Sequence, residues 1–286
     1  MKKILSSVLL LGILFFSTGC DNKSDTIIYT TVYPVHFLLE TLYQENATME
    51  SIYPNGADVN HYELTDKQID TIKNSTLFVY NGTTNEKQIA KQLVNKNRKL
   101  KIIDVAYSLK YKYGVEELWL SPSNYLMLAT NLKNNLEEQI GTKYINEEIE
   151  QKYDELEEKL SIMDAEIRSI AKNARSRGQD TIITSSNLFK FLEDYGFTVI
   201  SLEDYQVNTP GLSSIKSNFQ AKIYQYVLSS DGQRSELTDE VVSAGSATEI
   251  KVPLMHTLSE EKKKNNETYF TIMNSFISDL KLITNY

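Results

Sequence analysis

The sequence of 286 residues contains a single cysteine and only three histidines, His36, His61 and His256. One cysteine cannot form an intramolecular disulfide, and it cannot build a zinc site that needs several thiolates. Glycine and proline are few, at 11 and 5 residues, which excludes a collagen-like or low-complexity chain. The net charge is −8 and no basic block is present. A nucleic-acid partner is therefore not expected, because neutralising phosphates requires clustered Lys and Arg.

The motifs of several enzyme classes are also missing from the sequence. It has no Gly-x-Ser-x-Gly elbow, no phosphate-binding loop and no His-Glu-x-x-His. Ser185 and Ser186 have no histidine nearby in the sequence that could serve as a base, and His61 is the one plausible distant candidate. We therefore expect a protein that is not an enzyme.

Residues 1–19 are predicted to be a signal peptide rather than part of the fold. Met1-Lys2-Lys3 is positively charged, and residues 4–16 form an almost continuous apolar run that is too short to span a bilayer. Small residues then precede Cys20, as in the lipobox of bacterial lipoproteins, although Ser17 stands where an aliphatic residue is usual. We expect a lipidated Cys20, a polar tether over residues 20–26, and attachment to the extracytoplasmic face of the cell membrane. The alternative is an ordinary signal peptide with an incidental cysteine.

Beyond the tether, β-branched and aromatic runs alternate with segments of helical periodicity. The predicted strands cover residues 26–32, 49–53, 76–80, 101–105, 181–184, 198–202, 222–228 and 249–254. The predicted helices begin at Pro34 and cover residues 65–72, 122–140 and 266–285. This alternation predicts an α/β fold with two lobes, each built on a mainly parallel sheet flanked by helices.

One long helix is predicted between the two lobes. Apolar residues recur at spacings of three and four from Ile149 to Ile170, and mostly charged residues lie between them. We place the N-terminal lobe at residues 27–142, the linking helix at 143–177 and the C-terminal lobe at 178–286. A dimeric coiled coil is the alternative, but the apolar stripe covers only three heptads. A helix lying along both lobes of a monomer, with a ligand cleft between them, is the preferred interpretation.

The order of several short motifs resembles one known family. The segments that carry the resemblance are residues 30–34 (TTVYP), 56–63 (GADVNHYE), Asn81-Gly82, 119–122 (WLSP), 186–191 (SNLFKF) and 267–269 (ETY). In this order they resemble the zinc- and manganese-binding lipoproteins of bacterial ABC importers, the cluster A-I solute-binding proteins. The resemblance runs from about Ile27 to the C-terminus.

The resemblance implies four metal-ligand positions, and the sequence departs from the family at most of them. These positions hold Asn60, Glu117, Ser186 and Glu267, and His61 lies one place after the first. Three interpretations remain open. His61 with Glu117 and Glu267 would suit Zn or Mn. Asn60, Glu117, Ser186 and Glu267 would form an all-oxygen site for a hard cation. In the third interpretation no metal binds. His256, close to a strand end, is a weaker candidate.

The function implied by the resemblance is capture of a divalent cation, Zn or Mn, in the cleft between the lobes. The expected partners are an ABC permease and its ATPase, reached while the lipid anchor holds the chain at the membrane. The alternative is a relative that has lost the metal and acts as a surface interaction protein or adhesin.

Overall fold

The computed structural model describes residues 26–82, 84–231, 235–245 and 247–285. The predicted signal peptide, Cys20 and the tether up to residue 25 lie outside the described residues. Within the described ranges, no helix is both long enough and apolar enough to cross a bilayer.

The N-terminal lobe is built on a four-stranded parallel sheet with the order β2-β1-β3-β4. Its elements in chain order are β1 (Ile27–Thr30), α1 (Tyr33–Tyr43), β2 (Thr48–Ser51), α2 (Asp66–Ile72), β3 (Leu77–Tyr80), α3 (Thr84–Lys96), β4 (Lys101–Asp104), α4 (Glu117–Leu120) and α5 (Pro122–Gln139). The four side chains of β3 are all buried, as expected for an inner strand of a sheet that is covered on both faces.

The C-terminal lobe repeats this topology with the order β6-β5-β7-β8, again parallel throughout. Its elements are β5 (Thr181–Thr184), β6 (Thr198–Ser201), α7 (Pro210–Gln220), β7 (Tyr226–Ser230), α8 (Glu236–Gly245), β8 (Thr248–Val252), α9 (Glu260–Lys264) and α10 (Tyr269–Ile283). A 3₁₀ segment, Asn187–Tyr195, replaces the helix that follows the first strand in the other lobe. The predicted α/β class with two parallel sheets is confirmed.

Helix α6 (Lys143–Ser176) has 34 residues and is therefore about 50 Å long. The Thr142 hydroxyl accepts a hydrogen bond from the backbone N–H of Ile145 at the start, and Gly178 adopts a positive φ just beyond the end. The apolar stripe from Ile149 to Ile170 is buried against α1 and α5 of the N-terminal lobe and against α10. The predicted stripe is thus covered within its own chain. The monomeric state stays a prediction.

The two lobes share a core of aromatic side chains. The rings of Tyr125 and Tyr269 stack with their centroids 4.0 Å apart. The Tyr269 hydroxyl donates to the Trp119 carbonyl at 2.9 Å, and the Trp119 indole N–H donates to the Leu254 carbonyl at 2.8 Å. Because α10 and the segment after β8 belong to the C-terminal lobe, these bonds fix that segment against the N-terminal lobe. They also position the cleft described next.

Candidate functional site

A cleft of about 290 Å³ lies where the segment after β8 meets the carboxyl ends of the N-terminal strands. Open parallel sheets bind ligands at this edge. Val32, Tyr53 and Trp119 form apolar walls. The polar groups that reach the cleft are contributed by Asn60, Asn85, Glu86, Glu116 and His256. All of these belong to the N-terminal lobe except His256, which is supplied by the C-terminal lobe.

His256 and Glu116 connect the two lobes across the cleft. Nε2 of His256 lies 2.8 Å from Oε1 of Glu116, and since a carboxylate only accepts, the imidazole donates. Both side chains are largely buried. Burial raises the pKa of the Glu116 carboxyl, but the hydrogen bond from His256, a hydrogen bond from the Glu116 backbone and the charge of His256 together lower it below its usual value. The pair therefore holds a carboxylate in the cleft.

The backbone around His256 fixes the direction of its side chain. The carbonyl of His256 accepts a hydrogen bond from the Tyr33 N–H at 2.9 Å. The Trp119 ring meets the imidazole edge-on, with centroids 5.9 Å apart. Met255 adopts φ 60°, a left-handed conformation that is uncommon for a residue with a side chain. These contacts orient Nε2 toward the cleft.

Glu86 lies in the first turn of α3 and is only 1% exposed. Its Oε2 accepts hydrogen bonds from the Thr31 hydroxyl at 3.0 Å and from the Asn81 N–H at 2.8 Å. Burial raises the pKa of Glu86 to about 7, and the charge of Asp104 adds to this rise. The two hydrogen bonds and His256 act in the opposite direction. Glu86 is thus a titratable group at the wall of the cleft.

Two of the five residues predicted as metal ligands point away from the cleft. Glu117 is 5% exposed. Its carboxylate accepts hydrogen bonds from three backbone N–H groups, those of Lys112 at 3.1 Å, Gly114 at 2.9 Å and Tyr113. The carboxylate is therefore used to hold this loop. His61 has a side chain that is 85% exposed, and its Nδ1 lies 2.7 Å from Oδ2 of Asp58.

The other predicted ligands are divided among three places. Asn60 does line the cleft. Ser186 follows β5, and its Oγ is buried without a hydrogen-bond partner, outside the cleft lining. Glu267 lines an adjoining, larger cavity. The structure does not bring the five residues together. Across the described ranges, no three His, Cys, Asp or Glu side chains form a group that could hold a metal ion.

Of the pair that spans the cleft, Glu116 was not among the predicted ligands, and His256 was named only as a weaker candidate. Glu116 is next to Glu117, so motif matching selected the neighbour, whose carboxylate the 112–114 loop requires. His256 offered a visible signal, since it is one of three histidines and follows a predicted strand. An imidazole nitrogen and a carboxylate oxygen are donors that zinc accepts, whereas the amide oxygen of Asn60 is a harder donor of the kind that Mn and Mg prefer. The cleft thus holds a partial donor set.

Comparisons with known proteins identify the family of this chain. The family model described as "ZnuA: Zinc-uptake complex component A periplasmic" matches residues 28–282. The "Zinc-binding lipoprotein AdcA" of Streptococcus pneumoniae is 26% identical over 99% of this chain and 61% of its own length. The "High-affinity zinc uptake system protein ZnuA" of Bacillus subtilis is 22% identical over 92% of this chain and 89% of its own length. This chain therefore spans about three fifths of the pneumococcal relative.

Solved structures show the same fold. The Zn(II)-bound ZnuA-like domain of AdcA from Streptococcus pneumoniae superposes with a TM-score of 0.74 at 21% identity, covering 92% of this chain and 100% of that one. The metal-dependent lipoprotein YcdH from Bacillus subtilis also gives a TM-score of 0.74, at 20% identity, covering 90% and 98%. The architecture of two lobes and a long helix is therefore shared.

Proposed function

We propose a function from the premise that this chain belongs to the family of the periplasmic component A of zinc-uptake complexes. The chain is an extracytoplasmic solute-binding lipoprotein of a metal-type ABC importer. Its cargo is a divalent cation of the zinc class. It acts by binding and release rather than by catalysis, and it delivers the cation to an ABC permease and its ATPase. Lipidation at Cys20 holds the chain at the membrane surface.

The observation that carries this proposal is the contact of 2.8 Å between His256 and Glu116 across the cleft. A zinc ion replaces the proton that the two groups share, so that Nε2 and the carboxylate become ligands from opposite lobes. The Asn60 amide oxygen is a further oxygen donor in the lining, and water would complete the coordination. Because metal replaces a proton, binding weakens as the pH falls.

The experiment is a metal titration of the purified lipoprotein in detergent after metal removal. Zn and Mn are added separately while heat release and the melting temperature are recorded, with Mg as a hard-cation comparison. A cation at a hundredfold excess over its dissociation constant should stabilise the fold by about 2.7 kcal/mol. His256→Ala and Glu116→Gln should each remove most of this gain. His61→Ala is the matched control, because its exposed imidazole lies outside the cleft.

The ligand set implied by the motif resemblance is a competing proposal for the same function, and the same titration separates the two. If His61, Glu117 and Glu267 hold the cation, His61→Ala and Glu267→Gln will abolish zinc binding and His256→Ala will not. A melting temperature that no metal changes at millimolar concentration would contradict both ligand sets. It would leave the alternative of a surface interaction protein that kept the fold without the metal.

A further inference from the structure

A second cavity, of about 560 Å³, adjoins the cleft and shares Tyr53 and His256 with it as walls. Helix α1 and the end of β2 form one side, and residues 256–258 with the turn before α10 form the other. The cavity therefore lies between the two lobes. Its volume is in the range that accommodates a small organic molecule rather than a bare ion.

One wall of this cavity is aromatic and held in place. Tyr33 and Phe37 lie one turn apart on α1 with their ring centroids 6.0 Å apart. The Phe37 ring also contacts Tyr269 and Phe270, at centroid distances of 5.8 Å and 5.7 Å. The Tyr33 hydroxyl accepts a hydrogen bond of 3.1 Å from the Tyr269 N–H. Because these contacts join both lobes, they hold the wall in place.

Two carboxylates, one from each lobe, flank this wall. Glu40 lies on α1, where its Oε1 is 3.1 Å from Nε2 of His36. Glu267 precedes α10 and has Lys262 at a distance of 3.9 Å. Burial raises the pKa of the Tyr33 hydroxyl to about 12, the Tyr269 N–H opposes this, and the charges of Glu40 and Glu267 raise it further. Both negative charges therefore act at the same aromatic hydroxyl.

The chemistry of this lining favours an organic cation over a metal. Among the described residues, the acidic and histidine side chains that line this cavity do not form a group of three that could hold a metal ion. Carboxylates together with aromatic faces are the groups that recognise an ammonium on an apolar body. Lys263 also lines the cavity, but its side chain is exposed to solvent and can turn away.

We propose that this cavity is a second ligand site, which binds a small organic amine with its ammonium groups at Glu40 and Glu267 and its alkyl chain against Tyr33 and Phe37. This site adjoins the cleft and shares the His256 wall with it, but the carboxylates assigned to the amine are not those of the cation pair, so the proposal goes beyond the proposed metal transport.

The test uses 1,4-diaminobutane as the probe and the purified lipoprotein in detergent. Calorimetry should show saturable binding with a dissociation constant of about 1 mM or lower. 1,4-Butanediol, which has the same chain without charges, should not bind. Glu40→Gln and Glu267→Gln should each weaken the amine by about tenfold or more, since each loses a charged hydrogen bond. Glu138→Gln, at an exposed carboxylate on α5, is the control with the same charge change and should bind like the original chain.

Three results would overturn the proposal. One is the absence of saturable heat with the diamine. Another is equal binding of the diol, which would show that charge plays no part. The third is an equal loss of affinity in Glu138→Gln, which would show a general charge effect instead of a site. The comparison of diamine with diol uses the unaltered chain, so it decides the question even if one variant melts at a lower temperature.

Discussion

Replacing Glu86 by Gln should stabilise the protein at neutral pH. The carboxyl is 1% exposed and hydrogen-bonded to Thr31 and Asn81, and burial raises its pKa from 4.5 to about 7. At pH 8 the folded chain must therefore keep a charge in a place that water does not reach. Gln has nearly the same shape, carries no charge and keeps an oxygen that can accept both hydrogen bonds.

The sign and size of the effect follow from proton linkage. A folded pKa above the unfolded one means that the folded state binds the proton more tightly. The resulting stability is fully present below about pH 4.5 and is lost as the pH rises through about 7. A difference of two to three pKa units corresponds to about 3 kcal/mol. The advantage of Glu86→Gln over the original chain should therefore grow by about 1.4 kcal/mol for each pH unit between 5 and 7.

Urea denaturation of both proteins at pH 4, 5, 6, 7 and 8 measures this difference directly. The gap should be smallest at pH 4, increase up to about pH 7 and then remain constant. A gap that does not change with pH, or one that shrinks as the pH rises, would contradict a raised pKa for Glu86. It would mean that the Glu86 carboxyl is ionised in the folded protein with little cost.

Three further predictions concern other parts of the chain. Glu117→Ala should lower the free energy of unfolding by about 3 kcal/mol in urea denaturation, because three backbone N–H groups lose their acceptor. An unchanged midpoint would show that the 112–114 loop does not need this carboxylate. Replacing Leu156 and Leu160 by Lys should lower the free energy of unfolding of a monomer, since both leucine side chains are buried within the chain. Light scattering measures the oligomeric state. A stable dimer that these substitutions split while the fold stays intact would contradict the packing of α6 within a monomer. Cys20→Ala should release the protein from membranes in cell fractionation, and continued sedimentation with membranes would argue against the lipid anchor.

The fold could be predicted because its signals are local. Alternating strand and helix patterns identified the two parallel sheets, and the apolar stripe identified α6. Helices α3, α7 and α8 gave weaker signals. Only a narrow face of α3 is apolar, with Ile89, Ala90 and Leu93 buried. The strand predicted at 222–228 begins later, at Tyr226, because Lys222 adopts a positive φ and ends the preceding turn.

The candidate site was harder to predict because its geometry depends on distant contacts. Two adjacent acids, Glu116 and Glu117, look equivalent in sequence, yet one faces the cleft and the other faces a loop of backbone donors. The direction of His256 depends on the left-handed conformation of Met255 and on a hydrogen bond from Tyr33, more than 200 residues earlier. Neither is visible in a local pattern. Motif matching therefore identified Asn60 in the cleft and not the pair that spans it.

The length and burial of α6 limit how far the two lobes can move relative to each other. A rod of about 50 Å whose apolar side is packed on both lobes resists a wide hinge opening, since each Leu drawn out of the core costs about 1.5–3 kcal/mol. The segment between β8 and α9 carries His256 and is held to the N-terminal lobe by hydrogen bonds that include those from the Trp119 indole to the Leu254 carbonyl and from the Tyr33 N–H to the His256 carbonyl. We therefore expect loading and unloading to proceed through movement of this segment, which breaks these bonds without exposing the apolar side of α6. The two lobes would then keep nearly the same mutual orientation throughout the cycle.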